Sequence, residues 1–254
     1  MKKEIKKPIV EKKFIKEKVK KLKKISAPKD NIPVVSQRKY TARKYASYIL
    51  LVSLIASISI LTFMAKQTPY FKIDLVVTRA VQEFNAPWFQ LIMNGLTYIG
   101  NPGISPVLVG IITGIIYLKK RKKEALMLLI STIGASLISV TMKSFVHRLR
   151  PSPSLIHQIT IYHKPDSFPS GHVLFYVGFF GFLFFLSFTL PENNKFRVGL
   201  LVILGLLISL IGASRIYLGA HWFSDVTGAY LVGFIWLSIV IYLFNKWQLK
   251  VKPS

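Results

Sequence analysis

Ser214-Arg215-Ile216-Tyr217-Leu218-Gly219-Ala220-His221-Trp222-Phe223-Ser224-Asp225 lies between two strongly apolar runs, about Val198–Ala213 and Val226–Phe244. Ionisable groups are expensive in such surroundings and mark function. His221 and Asp225 are four apart, so on a helix they share one face. A carboxylate on one imidazole nitrogen leaves the other available as a nucleophile or base. Arg215, upstream, is permanently charged and shaped to hold phosphate. A His-Asp pair that merely satisfies itself is the plain alternative, but Arg215 has no neighbouring acid in the sequence.

The apolar runs on either side are part of a pattern. Mean hydropathy is +0.44 over 254 residues, too apolar for an ordinary soluble domain. Several runs approach the ~20 residues that span a bilayer. None shows repeated, turn-bounded alternation, which disfavours a β-barrel. The expected fold is all-α: a polytopic membrane bundle of six spans. Spans are expected at about Ala46–Ala65, Gly103–Leu118, Ala125–Met142, Val173–Leu190, Val198–Ala213 and Val226–Phe244. Residues 70–101 are too polar to cross. Phe71, Leu75, Val76, Ala80 and Phe84 alternate there with Lys72, Asp74, Arg79 and Glu83. This suits an interfacial amphipathic helix broken at Pro87, with Trp88 and Phe89 at headgroup level. A plain connecting helix remains the alternative.

The net charge of +25 is unevenly placed. Residues 1–45 hold 17 Lys/Arg against four Asp/Glu, the mark of a cytoplasmic basic tail. The tail is expected to be disordered or a surface amphipathic helix, with 26–40 as a linker. Its nearest partner is anionic lipid, at ~1 kcal/mol per juxtamembrane cation; no nucleic-acid partner is expected. Residues 46–245 form the expected membrane domain and 246–254 a short cytoplasmic tail. With the basic tail inside, Lys119–Lys123 is also inside, and the loops 66–102, 143–172 and 214–225 face outward. There is no cysteine, so thiol chemistry and disulfides are excluded.

Two of those outward loops carry further unusual groups. Lys143 and Arg150 are seven apart, two helical turns, and point the same way if the helix runs to Pro151. They suit an anion with several oxygens, although snorkelling at a helix end explains them equally simply. Ser167-Phe168-Pro169-Ser170-Gly171-His172 directly precedes an apolar run. Small residues at a helix start expose backbone N–H groups to an anion. Ser170 adds a hydroxyl, Gly171 allows close approach, and His172 is placed as a general acid. A simple N-cap beside an incidental histidine is the alternative. His147, Arg148 and His163 are additional polar groups near the site; reading a second phosphate is the alternative, and facing water is the expectation.

Joined, the segments read Lys143…Arg150-Pro151, Pro169-Ser170-Gly171-His172 and Ser214-Arg215…His221…Asp225. This pattern resembles the type 2 phosphatidic acid phosphatase superfamily: Lys-x6-Arg-Pro, Pro-Ser-Gly-His, and Ser-Arg-x5-His-x3-Asp. The resemblance covers about residues 45–245. It implies that His221 attacks phosphorus and becomes a phosphohistidine, that Asp225 orients it, and that His172 protonates the leaving oxygen. Lys143, Arg150, Ser170, Gly171 and Arg215 would hold the phosphoryl oxygens, with no metal or cofactor. The implied substrate is a membrane lipid phosphate: undecaprenyl diphosphate, phosphatidylglycerol phosphate or phosphatidic acid. Transfer to an acceptor other than water, or a non-catalytic scaffold with a basic tail, are the competing readings. Oligomeric state is not legible. Deleting residues 1–40 is expected to leave phosphate release in detergent within about twofold, since a surface tether acts only where there is a membrane; a large loss would contradict the tether.

Overall fold

The computed structural model describes residues 34–159, 166–190 and 195–249. The expectations for the tail before residue 34, for the turn at 191–194, for His163 and for 250–254 lie outside these. Among the described residues there are eight helices and no named strand. They are α1 (Val34–Gln67), α2 (Lys72–Gln82), α3 (Pro87–Ile99), α4 (Ser105–Leu118), α5 (Lys122–Val146), α6 (Gly171–Ser187), α7 (Lys195–Tyr217) and α8 (Phe223–Leu249).

Among the described residues, those up to Val52 form the start of α1, which begins at Val34, within the stretch expected to be a linker. From Ser53 onward the chain is one unit. Among the described residues, four helical segments are long and apolar enough to cross a membrane: Tyr48–Gln67, Lys122–Val146, Lys195–Tyr217 and Phe223–Leu249. Ser105–Leu118 and Gly171–Ser187 are apolar but shorter.

α6 is the centre. Its sequence is apolar on every side, the signature of a buried helix, and it packs on α5, α7 and α8. Glycine permits the closest of these approaches. The Ser131 hydroxyl of α5 donates to the Gly178 carbonyl at 2.7 Å, and a Cβ at Gly178 would sit 2.9 Å from the Ser131 carbonyl oxygen. Without a hydrophobic drive between helices in lipid, such small-residue contacts bring backbones together.

The 70–101 region is two helices. Residues 83–86 separate α2 from α3, and Pro87 starts α3 at a position where its missing N–H costs nothing. α3 packs along α7, and α2 packs on α7 and α8. α2 does not have a uniformly wet polar face: Asp74 is fully buried.

α5 corrects the sequence reading at its end. It was expected to continue to about Arg150, but it stops at Val146. His147 takes a left-handed conformation (φ 52°), and the chain then runs extended, with Leu149 bridged to Asp166. Lys143 and Arg150 therefore do not share a helical face; the extended segment delivers Arg150 instead.

Gly178→Ala should cost about 1–3 kcal/mol, the usual range for overpacking, because the added carbon meets backbone that cannot swing away. Thermal unfolding in detergent would measure it. An unchanged Tm would show that the α5–α6 approach has slack.

Candidate active site

The loops expected to face outward converge at one end of the helices. Lys119–Lys123 lies at the opposite end, where Arg121 reaches Thr189 and Lys123 sits over the Trp247 ring.

Asp225 is in the first turn of α8, where the helix dipole favours a carboxylate. It is fully buried and heavily bonded. Its Oδ1 accepts from Arg148 at 2.6 Å. Its Oδ2 accepts from the Trp222 N–H at 2.9 Å and from the Ser167 hydroxyl. His221 Nδ1 is 3.6 Å from Oδ2, an ion-pair distance and not a hydrogen bond. The same nitrogen is 3.4 Å from the Ser167 hydroxyl.

The other nitrogen of His221, Nε2, lies 3.3 Å from the Arg150 guanidinium. Arginine only donates, so this contact needs a lone pair on Nε2 and places the proton on Nδ1. Arg150 also donates to the Ala220 carbonyl at 2.6 Å. The turn that makes this possible contains Gly219 at φ +68°, where a Cβ would also meet the His157 carbonyl oxygen at 2.9 Å.

Lys143 donates to the carbonyls of Asp166 (2.7 Å) and Ser167 (3.3 Å), leaving one ammonium N–H for a ligand. Arg215 is buried and donates to the Thr97 hydroxyl at 2.8 Å. Thr97 in turn meets the Ser214 hydroxyl at 2.9 Å, and Ser214 donates to the Met93 carbonyl at 2.6 Å. α3 is thus a wall of the site, and not a plain connector.

Ser170 is the N-cap residue of α6, but its side chain makes no capping bond, and its buried hydroxyl has no partner. Its N–H donates to the Asp225 carbonyl at 3.3 Å, which joins the starts of α6 and α8. A Cβ at Gly171 would lie 3.1 Å from the Ser139 hydroxyl. His172 packs against Gly100, where a Cβ would be 2.6 Å from its ring. Its buried Nε2 has no partner. Two buried polar atoms without partners, at a helix N-terminus lined by cations, are what an anion site presents before it is filled.

Arg148 corrects the sequence reading most. It was expected to face water, but only 2% of it is exposed. It bridges Asp225 to Asp74 of α2 (3.0 Å) and also bonds the Ser224 hydroxyl at 2.7 Å. Asp74 additionally accepts from the Ser224 N–H and hydroxyl. His147 does face water, paired with Asp166 at 3.2 Å. Arg148, Asp74, Ser167, Ser224 and Thr97 are the supporting residues that pattern reading missed. Arg148, Ser167 and Ser224 lie inside the quoted segments; nothing marks Asp74 or Thr97 in the sequence.

Comparison with known proteins gives the same outline. The PAP2 superfamily model matches residues 124–249. Phosphatidylglycerophosphatase B of Bacillus subtilis strain 168 is 29% identical over 170 residues, 66% of this chain and 81% of that protein. The crystal structure of a transmembrane PAP2-type phosphatidylglycerolphosphate phosphatase from Bacillus subtilis superposes with TM-score 0.64 at 25% identity. It covers 79% of this chain and 96% of that one. The crystal structure of Aquifex aeolicus LpxE shares the fold at TM-score 0.52 and 24% identity, over 68% of this chain and 96% of that one.

Burial, then the cations Arg150, Lys143 and Arg215, hold the His221 imidazole well below its usual pKa, so it is neutral near pH 7. The unfolded chain would take up a proton near the ordinary value of about 6.5 where the folded one does not, so this residue's share of stability falls as pH drops below that value. Nitrogen-15 spectra of histidine-labelled protein should show His221 neutral, with its proton on Nδ1, from about pH 8 to 6. A titration centred near 6.5 would contradict the electrostatics described.

Proposed function

This chain belongs to the PAP2 superfamily and is a membrane lipid phosphatase; from that premise we propose that it hydrolyses its lipid phosphate through a phosphohistidine on His221. The observation that supports this most is the lone pair of His221 Nε2, held in a neutral, buried ring beside Arg150. A neutral imidazole is the form that attacks. The charge of the transferring phosphoryl group would spread over Lys143, Arg150 and Arg215, with the Ser170 hydroxyl and the Gly171 N–H at the start of α6. Phosphoryl transfer gains most from such positioning and charge stabilisation. Asp225 supports the imidazolium character that develops as the N–P bond forms.

His172, with its inner nitrogen unpartnered, then protonates the leaving oxygen. The same group activates the water that hydrolyses the N–P bond, as microscopic reversibility requires. His221 is regenerated and inorganic phosphate leaves.

The two Bacillus subtilis relatives make phosphatidylglycerol phosphate the first substrate to test, followed by phosphatidic acid and undecaprenyl diphosphate. We place both termini and Lys119–Lys123 in the cytoplasm, counting six spans by including α4 and α6, and the site at the outer face. There a headgroup reaches the cations while its acyl chains stay in the bilayer. The basic tail lies against anionic lipid at the inner face.

The test is phosphate release from these three lipids, with kcat/KM for each. His221→Ala should abolish turnover. His172→Ala should slow it by about 10²–10⁴-fold, the range for a general acid, and let a phosphoenzyme accumulate only with lipids whose leaving group needs no proton. Persisting turnover in His221→Ala would remove the proposed nucleophile; no release from any of the three would remove this substrate class.

A further inference from the structure

Asp225 is expected to orient His221, yet in the structure the two do not hydrogen-bond. Nδ1 and Oδ2 are 3.6 Å apart. Oδ2 already accepts from the Trp222 N–H and from the Ser167 hydroxyl, while Oδ1 is held by Arg148. The Ser167 oxygen is the nearer side-chain acceptor to Nδ1, at 3.4 Å. Its own proton is committed to Asp225, which receives only. Its lone pairs therefore face the Nδ1 proton that the Arg150 contact requires, alongside the Ser167 main chain, which also favours a proton on the ring.

Ser167 is fully buried, so water does not compete for this position. Its main chain is fixed as well. The N–H donates to the Arg148 carbonyl at 2.8 Å, and the carbonyl accepts from Lys143. A hydroxyl held this firmly, between a nucleophile and its carboxylate, has few other orientations.

We propose that Ser167 is a positioning residue: its hydroxyl bridges His221 Nδ1–H to Asp225 and so aims Nε2 at phosphorus. The proton stays on Nδ1 throughout the attack. As positive charge grows on the imidazole, the hydrogen bond to Ser167 shortens, and Ser167 leans harder on Asp225. Two polarised bonds in a buried site pass the carboxylate's influence to the ring without direct contact. This proposal rests on the phosphohistidine reading above, because positioning matters only if His221 reacts.

The experiment compares Ser167→Ala, Ser167→Thr and His221→Ala in detergent with phosphatidylglycerol phosphate. It follows phosphate release and the nitrogen-15 signals of His221. Ser167→Ala keeps the backbone bonds and removes only the hydroxyl. It should lower kcat by about 10- to 100-fold, the scale on which residues behind a reacting group act, with KM nearly unchanged. The preference for Nδ1–H should weaken in the same protein. Ser167→Thr should restore both. Should the alanine protein not fold, Ser167→Cys takes the same readings, since a thiol keeps the volume and bonds weakly. Parental kcat and an unchanged tautomer in Ser167→Ala, or in Ser167→Cys where that stands in, would overturn the bridge. Activity surviving in His221→Ala would instead overturn the nucleophile assignment, whatever Ser167 does.

Discussion

The buried guanidinium of Arg148 is the constraint on which the site depends. It lies between the carboxylates of Asp74 and Asp225, and the side chains of all three are wholly shielded from solvent. Removing one member of such a group strands a charge, at about 3–5 kcal/mol. The three residues come from α2, from the extended segment after α5, and from the start of α8. Their mutual attraction therefore fixes three pieces of chain that are far apart in sequence. It also explains why α5 ends early. One more helical turn would carry Arg148 around the helix axis, whereas the left-handed His147 redirects the chain so that Arg148 enters the core and Arg150 turns toward His221. The ion group stiffens the site, and the direction of the backbone is what it demands in return.

Around that group the charges are arranged in two shells of opposite purpose. The inner shell matches Arg148 with acids and contributes no positive field to a ligand. The outer one comprises Lys143, Arg150 and Arg215, which donate to the Asp166 carbonyl, the Ala220 carbonyl and the Thr97 hydroxyl respectively. Burial, and after it these three cations, keeps His221 neutral. Under the proposed mechanism, the cations that would hold phosphate also favour the neutral ring that would attack it.

Much of this was legible in the sequence, and the reasons are local. Apolar runs mark helices because lipid penalises anything else, and α5, α7 and α8 lie where the runs predict. The cations and histidines stand out because ionisable groups are rare beside such runs. What stayed hidden is long-range. Asp74 looked like one polar residue of an amphipathic helix, since burial of a charge depends on a partner 74 positions away. Thr97 is an ordinary threonine until Arg215 is beside it. Arg148 was expected to face water because the two acids that bury it are far off in sequence. The end of α5 was misplaced because a proline says where a helix cannot continue, not where it stops.

A final consequence concerns direction. Arginine donates and never accepts, so every hydrogen-bond chain that begins at one has a single polarity. From Arg215 the chain runs to the Thr97 oxygen. The Thr97 hydroxyl must then donate to Ser214, which donates to the Met93 carbonyl. From Arg150 it runs to His221 Nε2, and the Nδ1 proton must then point toward Ser167 and Asp225. Both chains end in acceptors that cannot reverse them, a carbonyl in one case and a carboxylate in the other. Hydroxyl groups, which elsewhere rotate to suit either neighbour, have one useful orientation here. The site is therefore polarised before any ligand arrives, and little reorganisation remains to be done when negative charge appears on phosphorus oxygens.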